Sequence, residues 1–408
     1  MSGRPRLVVV GNGMAAMRTL EHLVKIAPGR HAITVFGAEP HPAYNRILLS
    51  PVLAGEIEPA AIVTHDAAWF AAHGIELQMG RRVTFIDRAH HCVIDEGRAA
   101  TAYDRLLLAT GSEPIRLPIP GAQLAGVITY RDLADTQAMI AASRRHRRAV
   151  VIGGGLLGLE AANGLAARGM EVSVVHLMPS LMERQLDERA GAILRKRLEA
   201  RGIRFFLGCE TLAISGADDA ASGVVVQPAT PSPHAAAVTI PAELVVMAVG
   251  IKPETSLAQA AGLHVDRGIV VDDTLLTYDP RIYAVGECVR HRGRNYGLVQ
   301  PLYEMARVCA THLAGVGSHF YPGSAVSTHL KVTGIEVFSA GEIGEVPGRE
   351  NLVASDPSRG VYRRLVIDGD RLAGGVLVGD SRGAARYADL IRSRASVASL
   401  RRELMFLQ

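Results

Sequence analysis

Two glycine-rich segments have the residue types and spacing that bind the pyrophosphate of a dinucleotide. The small residues of each segment follow an apolar run: Gly11, Gly13 and Ala16 after residues 7–10, and Gly153, Gly155 and Gly158 after residues 149–152. The first glycine permits a tight strand-to-helix turn, the second lets the backbone approach a pyrophosphate, and the third small residue lets helix and strand pack closely. The phosphate then meets a helix N-terminus, where unpaired N–H groups favour negative charge. One copy would be weak support, but two copies predict two dinucleotide sites.

The elements around both segments have the order strand, turn, helix, strand. The first copy predicts a helix to about Ile26 and a strand over Ala32–Phe36, and the second predicts a helix to about Arg168 and a strand over Glu171–Val175. A chain of 408 residues with 48% hydrophobic side chains is long enough for two or three packed domains. We therefore predict an α/β fold with two Rossmann-like dinucleotide-binding domains.

The acidic residue that usually holds the ribose is atypical in both copies. Glu39 lies just beyond the second strand of the first copy, and His176 stands in the second copy where NAD-preferring sites usually place Asp or Glu. A histidine removes the carboxylate that would repel a 2′-phosphate, but it does not supply the fixed charge of an arginine. The choice between NADH and NADPH stays open, and His176 also fits a strand-end residue without a ligand.

Composition excludes several classes of protein. The net charge of +4 and the densest basic run, at residues 144–148, do not indicate a nucleic-acid partner. The four cysteines form no Cys-x-x-Cys pair, so we predict neither a dithiol centre nor a cysteine-ligated iron–sulfur cluster, and we expect a reducing cytoplasm. We assign no metal-binding residues. The apolar stretch 149–169 contains Glu160 and Asn163, so we expect no membrane span, and the N-terminus does not resemble a signal peptide.

Three further motifs carry a family resemblance. Residues 103–111 end in Ala-Thr-Gly, residues 277–287 match T-x-x-x-x-I-Y-A-x-G-D with Glu287 in place of aspartate, and residues 248–253 read Ala-Val-Gly-Ile-Lys-Pro. Over residues 5 to about 320 the chain therefore resembles the two-domain flavoprotein family of pyridine-nucleotide-dependent reductases. The resemblance implies FAD in the first domain, NADH or NADPH as co-substrate in the second, and residues 248–253 as the crossing back to the FAD domain.

Within that family, four segments are similar to the flavoprotein portion of assimilatory nitrite and nitrate reductases. They are residues 36–50, 153–160, 181–187 and 296–301, and the similarity continues over 329–380. The complete nitrite reductase subunit continues into cysteine-rich iron–sulfur and sirohaem domains, which the 408 residues do not contain. We therefore expect a separate electron-acceptor protein that carries iron–sulfur, haem or molybdenum.

The resemblance also implies a division into domains. Residues 1–115 and 251–320 form the FAD-binding domain, residues 116–250 the NAD(P)-binding domain, and residues 321–408 a C-terminal α+β domain that often contributes to a homodimer. Alternating residues at 328–332, 337–340 and 363–367 predict strands of the last domain, with a helix opening near Arg382. The Ser-, Pro- and Ala-rich stretch 216–237 predicts a hairpin loop.

The predicted cofactor-binding residues fall into groups by the part of the ligand that they would contact. Those for FAD are Gly11, Gly13, Met14, Ala15 and Glu39 at its ADP half, Asn45 and Arg46 near the pyrophosphate or flavin, the closing segment Ala109, Thr110 and Gly111, and Leu298 and Gln300 near the flavin N1 and O2 region. The resemblance further implies that the Val83 backbone contacts adenine, that Arg131 lies near the FAD phosphates, and that Glu287, after Gly286, holds the ribityl chain. Those for the nicotinamide dinucleotide are Gly153, Gly155, Leu156, Leu157, Glu160 and His176, with Gly250 in the crossing segment. Hydride transfer between stacked rings needs orientation more than acid–base chemistry, so we predict no catalytic proton-transfer residue.

These observations predict an FAD-dependent NAD(P)H:acceptor oxidoreductase of nitrate or nitrite assimilation. Two alternatives stay open. One is a rubredoxin or ferredoxin reductase of the same fold, which differs only in its electron acceptor. The other is a flavin-containing NAD(P)H sensor whose turnover is incidental. Arg46 also fits an ordinary surface arginine, and Glu160 also fits a residue paired within its own helix.

Overall fold

The computed structural model describes residues 3–230, 236–317, 319–324, 327–332 and 334–407, with backbone only for 327–332. The strands are β1 Arg6–Val10, β2 Ala32–Gly37, β3 Ala43–Tyr44, β4 Val63–His65, β5 Ile75–Met79, β6 Val83–Asp87, β7 Cys92–Asp95, β8 Ala100–Ala102, β9 Arg105–Leu108, β10 Ser112–Pro114, β11 Val127–Thr129, β12 Arg148–Ile152, β13 Glu171–His176, β14 Arg204–Leu207, β15 Cys209–Ala217, β16 Ala220–Pro228, β17 Val238–Pro241, β18 Leu244–Met247, β19 Ile251–Pro253, β20 Ile269–Val271, β21 Ile282–Ala284, β22 Val289–His291, β23 Ser327–Val332, β24 Ile335–Gly341, β25 Glu350–Asp356, β26 Val361–Asp368 and β27 Arg371–Val378. The α-helices are α1 Met14–Ile26, α2 Leu49–Ala54, α3 Ala67–Ala72, α4 Leu133–Ser143, α5 Leu156–Ala167, α6 Glu188–Glu199, α7 Ser256–Ala260, α8 Val299–Leu313 and α9 Ala384–Ser393. Short 3-10 helices lie at Arg46–Leu48, Pro59–Ile62, Ala398–Leu400 and Leu404–Phe406.

The chain forms two compact units, each assembled from separate stretches of sequence. The first comprises Met1–Leu48, Pro59–Glu113 and Ile251–Ser324, and the second comprises Leu49–Glu58, Pro114–Gly250 and Ala325–Gln408. The structure thus groups residues 49–58 with the second unit, whereas the predicted division assigns them to the FAD-binding segment.

The first unit contains a parallel sheet in the order β21-β9-β1-β2-β5. Its central strand β1 is buried from Leu7 to Val10, because parallel strands are covered on both faces and are apolar on both. Helix α1 turns Ala16, Leu20 and Leu23 toward the core, at the spacing that one helical face requires. The predicted first copy of strand, turn, helix and strand is therefore present.

The second unit repeats this arrangement with the parallel sheet β11-β18-β12-β13-β14. Helix α5 follows β12 directly, and α2 packs against α5 because Gly164 leaves space for Leu53. The Arg168 side chain, just beyond α5, donates hydrogen bonds to the carbonyl oxygens of Val52 and Leu53. These contacts explain why residues 49–58 belong to the second unit.

The C-terminal part of the second unit is an antiparallel sheet in the order β23-β24-β27-β26-β25, with α9 packed on it. Phe338, Leu365, Leu377 and Tyr387 are buried in its core. The strands predicted at 337–340 and 363–367 are present, and so is the helix predicted near Arg382. The strand predicted at 328–332 is present in the backbone, and its side chains lie outside the described residues.

The loop predicted over residues 216–237 is wrong for most of its length. Strand β16 occupies Ala220–Pro228 and pairs with β15 on one side and β17 on the other. The run Val224–Val226 supplies the strand, since β-branched side chains fit a pleated, half-buried surface. The turn itself is only Asp218 and Asp219, both with positive φ, and residues 231–235 lie outside the described residues.

Candidate functional site

The first glycine-rich turn, between β1 and α1, needs a residue without a side chain at its start. Gly11 has a φ of +107°, and a Cβ atom there would lie 2.2 Å from the carbonyl oxygen of Ala109. Its amide donates to the carbonyl oxygen of Phe36 across a distance of 2.8 Å. The turn is therefore held between the ends of β2 and β9, at the carboxyl edge where doubly wound sheets bind ligands.

Gly13 stands at the N-terminus of α1 and leaves space beside it. Among the described atoms, none lies within 4 Å of the position that a Cβ would take, and Gly13 supplies no side chain to cap the helix. The first amides of α1, from Met14 and Ala15 onward, are the groups that a helix leaves without intrahelical partners. This arrangement fits the pyrophosphate of a dinucleotide. Gly286, with a φ of +95°, lies close to Ala15, since a Cβ there would be 3.1 Å from the Ala15 methyl group.

The candidate ribose residue Glu39 belongs to a group of three polar side chains. Tyr44 donates a hydrogen bond of 2.6 Å to one carboxylate oxygen of Glu39, and the Arg46 guanidinium pairs with the other. Arg46 also donates to the Tyr44 hydroxyl across 2.9 Å. Arg46 is thus held by a carboxylate, and its side chain is 26% exposed. Asn45, between them, accepts a bond from the amide of Ile47.

Residues 109–111, which directly follow β9, are the next predicted FAD residues. Ala109 donates its amide to Val10, and Gly111 takes a φ of +73°. The Thr110 hydroxyl donates to the carbonyl oxygen of Glu254 across 2.7 Å. The hydroxyl of Ser112 donates to the carboxylate of Glu287 across 2.7 Å, so Glu287 is positioned at this edge.

The remaining predicted FAD residues are spread through both units. Leu298 is the N-terminal boundary of α8, and Gln300 in its first turn donates to Glu304 four residues later. Val83 begins β6, away from these turns in sequence, and is buried. Arg131 lies in the second unit, where its amide donates to Asp135 across 2.7 Å. The contacts of these residues with a cofactor stay predictions.

The second glycine-rich turn, between β12 and α5, repeats the geometry of the first. Gly153 has a φ of +122°, and a Cβ there would lie 2.3 Å from the carbonyl oxygen of Ala248. Gly158 approaches the carbonyl oxygen of Gly153 so closely that a Cβ would lie 2.1 Å from it. Gly155 is the residue just before α5, and none of the described atoms lies within 4 Å of its Cβ position. This turn also fits a pyrophosphate. Gly250, with a φ of +120°, accepts a bond from the amide of Ile115.

His176, the last residue of β13, lies directly on this turn. The amide of Gly154 donates to its Nδ1 across 3.1 Å, and its Nε2 is 3.0 Å from a carboxylate oxygen of Glu183. A Cβ on Gly154 would lie 2.7 Å from the imidazole ring, so the middle glycine of the Gly-Gly-Gly run leaves room for His176. His176 is therefore hydrogen-bonded to the turn and to Glu183, and whether it contacts a coenzyme stays a prediction.

Glu160 lies one turn into α5, beyond the half-buried Leu156 and Leu157. The Ser50 hydroxyl donates to its carboxylate across 2.7 Å, and the same hydroxyl is 3.2 Å from that of Tyr130. Burial raises the pKa of Glu160 to about 7, against the smaller opposing effect of the Ser50 hydrogen bond. The partner of Glu160 in the structure is on α2, which excludes pairing within its own helix as the reason for its position.

The structure reveals three polar partners that sequence reasoning missed: Tyr44, Ser50 and Glu183. All three lie inside segments that the resemblance singled out, at residues 36–50 and 181–187. The motifs marked the segments, but no spacing rule connects Ser50 with Glu160 or Glu183 with His176, because these contacts depend on how loops fold back.

Two structural findings concern metals and membranes. Within the described ranges, no group of three or more His, Cys, Asp and Glu side chains has an arrangement that could hold a metal ion. Over the same ranges, none of the helices has both the length and the apolar character that crossing a bilayer requires.

Comparison with known proteins gives the family. Residues 5–309 match the model of the pyridine nucleotide-disulphide oxidoreductases, and residues 327–395 match that of the rubredoxin NAD+ reductase C-terminal domain. The NAD(P)H nitrite reductase of Bacillus subtilis is 47% identical over 97% of this chain and 48% of its own length. The assimilatory nitrate reductase electron transfer subunit of the same organism is 42% identical over 98% of this chain and 51% of its own length. The chain thus spans about half the length of these curated relatives.

One solved structure is similar over most of this chain. The crystal structure of a ferredoxin reductase from Rhodopseudomonas palustris superposes with a TM-score of 0.82 and 28% identity. The alignment covers 92% of this chain and 91% of that one.

Proposed function

We propose that this chain, which belongs to the pyridine nucleotide-disulphide oxidoreductase family, is an FAD-dependent oxidoreductase that passes electrons from NAD(P)H to a separate redox protein. The observation that carries the proposal is the pair of glycine-rich turns, one in each compact unit. Each turn combines a glycine of positive φ, which touches a neighbouring strand end, with a second glycine that leaves space at a helix N-terminus. Two such turns support two dinucleotides.

The residues of each turn would bind and orient one ligand. FAD, when bound, supplies the chemistry, since a flavin accepts a hydride and can release its electrons one at a time. Gly11, Gly13 and the first amides of α1 would hold its pyrophosphate, while Glu39 would accept hydrogen bonds from its ribose. Glu287, oriented by Ser112, would hold the ribityl chain. The N-terminus of α8 would stabilise negative charge at the N1 and O2 region of the flavin.

The second turn would hold the coenzyme in the same way. Gly153, Gly155 and the N-terminus of α5 would bind the pyrophosphate, and Leu156, Leu157 and Glu160 would border the nicotinamide. Glu160 carries a hydrogen bond from Ser50, which fixes the carboxyl group in one orientation. Binding and orientation are the whole of the contribution expected from these side chains, because hydride transfer needs no acid–base residue.

We place this activity in nitrate or nitrite assimilation because the matched relatives from Bacillus subtilis are a nitrite reductase and a nitrate reductase electron transfer subunit. The acceptor would then be an iron–sulfur, haem or molybdenum protein or domain. A cytoplasmic location fits NAD(P)H as donor and the thiols of Cys288 and Cys309, which are buried and form no disulfide. The resemblance of the C-terminal domain carries the further expectation of a homodimer, which sedimentation would test.

The test is steady-state oxidation of NADH and NADPH by the purified flavin-loaded chain with different acceptors. Reduction of ferricyanide measures electron release from the flavin to a non-specific acceptor. Reduction of a purified assimilatory nitrate reductase catalytic subunit measures electron transfer to the proposed protein acceptor. We expect turnover with ferricyanide, and turnover with the reductase subunit that exceeds turnover with a ferredoxin of similar potential. Slow turnover with every acceptor would support an NAD(P)H sensor instead.

A second candidate is a ferredoxin reductase. It is favoured by the likeness to the ferredoxin reductase of Rhodopseudomonas palustris, which extends over 91% of that chain. Both candidates share the flavin and the coenzyme, so they differ only in the acceptor. Faster reduction of a [2Fe–2S] ferredoxin than of the nitrate reductase subunit would decide for this alternative.

A further inference from the structure

The end of β13 is where dinucleotide folds place the residue that contacts the adenine ribose of the coenzyme. His176 occupies this position, and its side chain is only 11% exposed. The imidazole faces the glycine-rich turn, where it accepts the Gly154 amide proton at Nδ1. A nitrogen that accepts a hydrogen bond carries no proton, so the proton of this imidazole is on Nε2. With Nδ1 as the acceptor, Nε2 is the nitrogen that faces Glu183, 3.0 Å from its carboxylate oxygen.

The segment that carries Glu183 is itself fixed to the turn. The amide of Met182 donates to the carbonyl oxygen of Gly154 across 3.1 Å, while Leu181 and Met182 are buried. Gly154 therefore forms two hydrogen bonds, one from its amide to His176 and one at its carbonyl oxygen from the amide of Met182. The Glu183 carboxylate is thus held by its hydrogen bond to His176, and the preceding residue is held to the turn by the Met182 amide.

A carboxylate offers about four acceptor positions, and the imidazole uses one of them. The side chain of Glu183 is 33% exposed, so the remaining acceptor capacity is accessible to a ligand. The two hydroxyls of an adenine ribose are donors for such a group, whereas a 2′-phosphate would bring its negative charge against it.

We propose that Glu183, held by His176, is the ribose-binding carboxylate of this chain and selects NADH over NADPH. The inference rests on the proposed function and names the coenzyme that the sequence left open. Glu183 lies seven residues beyond the strand end, and His176 positions it there. The next residue, Arg184, is exposed and is the natural rival, since an arginine at the same edge would favour a 2′-phosphate.

The experiment compares the intact flavoprotein with Glu183→Gln, Arg184→Gln and Glu199→Gln, each measured with both coenzymes. Glu199 is an exposed residue at the far end of α6 and gives the same change of charge. One readout is the ratio of kcat/KM for NADH to that for NADPH in ferricyanide reduction. The other is equilibrium binding of NAD+ and NADP+ by calorimetry, which needs no electron transfer.

We expect the wild-type chain to bind NAD+ more tightly than NADP+, and Glu183→Gln to reduce the preference about 10- to 100-fold, the range of a hydrogen bond to a charged group. Glu199→Gln should leave the ratio unchanged. A wild-type preference for NADP+, an effect of Glu183→Gln no larger than that of Glu199→Gln, or loss of NADP+ binding in Arg184→Gln alone would overturn the inference. If binding is selective but neither reduced coenzyme bleaches the flavin, the proposed function fails while the coenzyme assignment stands.

Discussion

Glu160 is a half-buried carboxyl group whose ionisation should make the stability of the chain depend on pH. Its pKa in the folded chain is raised to about 7 by burial, above its ordinary value of 4.5. The folded state therefore binds more protons than the unfolded state between these two values. The contribution of the protonated Glu160 carboxyl group to the free energy of unfolding is complete below about pH 4.5, and it is lost as pH rises through about 7.

Glu160→Gln should remove this dependence. Between pH 5 and pH 8, wild type should lose up to about 3 kcal/mol more of its free energy of unfolding than the variant does. Urea denaturation at both pH values measures the difference, and Glu199→Gln serves as the exposed control. Equal pH dependence in wild type and Glu160→Gln would show that burial does not perturb this carboxyl group.

Two glycines of the second turn should respond differently to the same added methyl group. Gly153→Ala places a Cβ 2.3 Å from the Ala248 carbonyl at a positive φ, so we expect a loss of more than about 2 kcal/mol in the free energy of unfolding. Gly155 has a φ of −80° and open space around its Cβ position, so Gly155→Ala should fold with near wild-type stability. The substitution should instead weaken binding of the coenzyme, since the methyl group would occupy the space that the pyrophosphate approaches.

Thermal unfolding and the KM for NADH separate these effects. Gly155→Ala should raise KM about tenfold or more with little change in Tm, whereas Gly153→Ala should lower Tm. A Gly155→Ala variant with wild-type KM would contradict the placement of the pyrophosphate at this turn.

At the scale of elements, helix α6 depends on one carboxylate with two roles. Asp187 caps the helix by accepting the Ala190 amide proton, and its other oxygen accepts from Tyr362 and faces the guanidinium of Arg364 on β26. Arg364 is buried and also donates to Asn351. The carboxylate thus connects α6 to the C-terminal sheet within the second unit.

Asp187→Ala should cost about 3–5 kcal/mol in the free energy of unfolding, because it removes the cap and leaves a buried guanidinium without its carboxylate. Asp187→Asn keeps an acceptor for the cap and should cost less, about 1–3 kcal/mol. Chemical denaturation followed by circular dichroism gives both values. A cost near 1 kcal/mol for Asp187→Ala would mean that only the cap matters.

The sequence was sufficient to predict the elements that a repeated local pattern specifies. Both copies of strand, turn and helix were placed within one or two residues, because glycine spacing and apolar runs act over short distances. Strand β16 was missed because a Ser- and Ala-rich stretch has loop composition even where Val224–Val226 forms a strand. The assignment of residues 49–58 to the second unit depends on long-range packing of Leu53 on Gly164, which no local pattern contains.

At the scale of the whole molecule, the structure contains both predicted glycine-rich turns, and it adds polar partners that the sequence did not indicate. The cofactors and the fold class are confirmed by the family match and by the paired sheets. The individual site residues stay predictions, as does the division into four domain segments. Sequence could not connect His176 with Glu183, because that contact requires the segment after β13 to return to the turn.

The central claim is that the two glycine-rich turns bind a flavin and a nicotinamide coenzyme that exchange a hydride. Anaerobic stopped-flow absorbance of the purified yellow protein, mixed with NADH and separately with NADPH, tests it most directly. The account predicts rapid bleaching of the flavin band, faster with NADH. A protein that carries no flavin, or whose flavin neither coenzyme reduces, would contradict it.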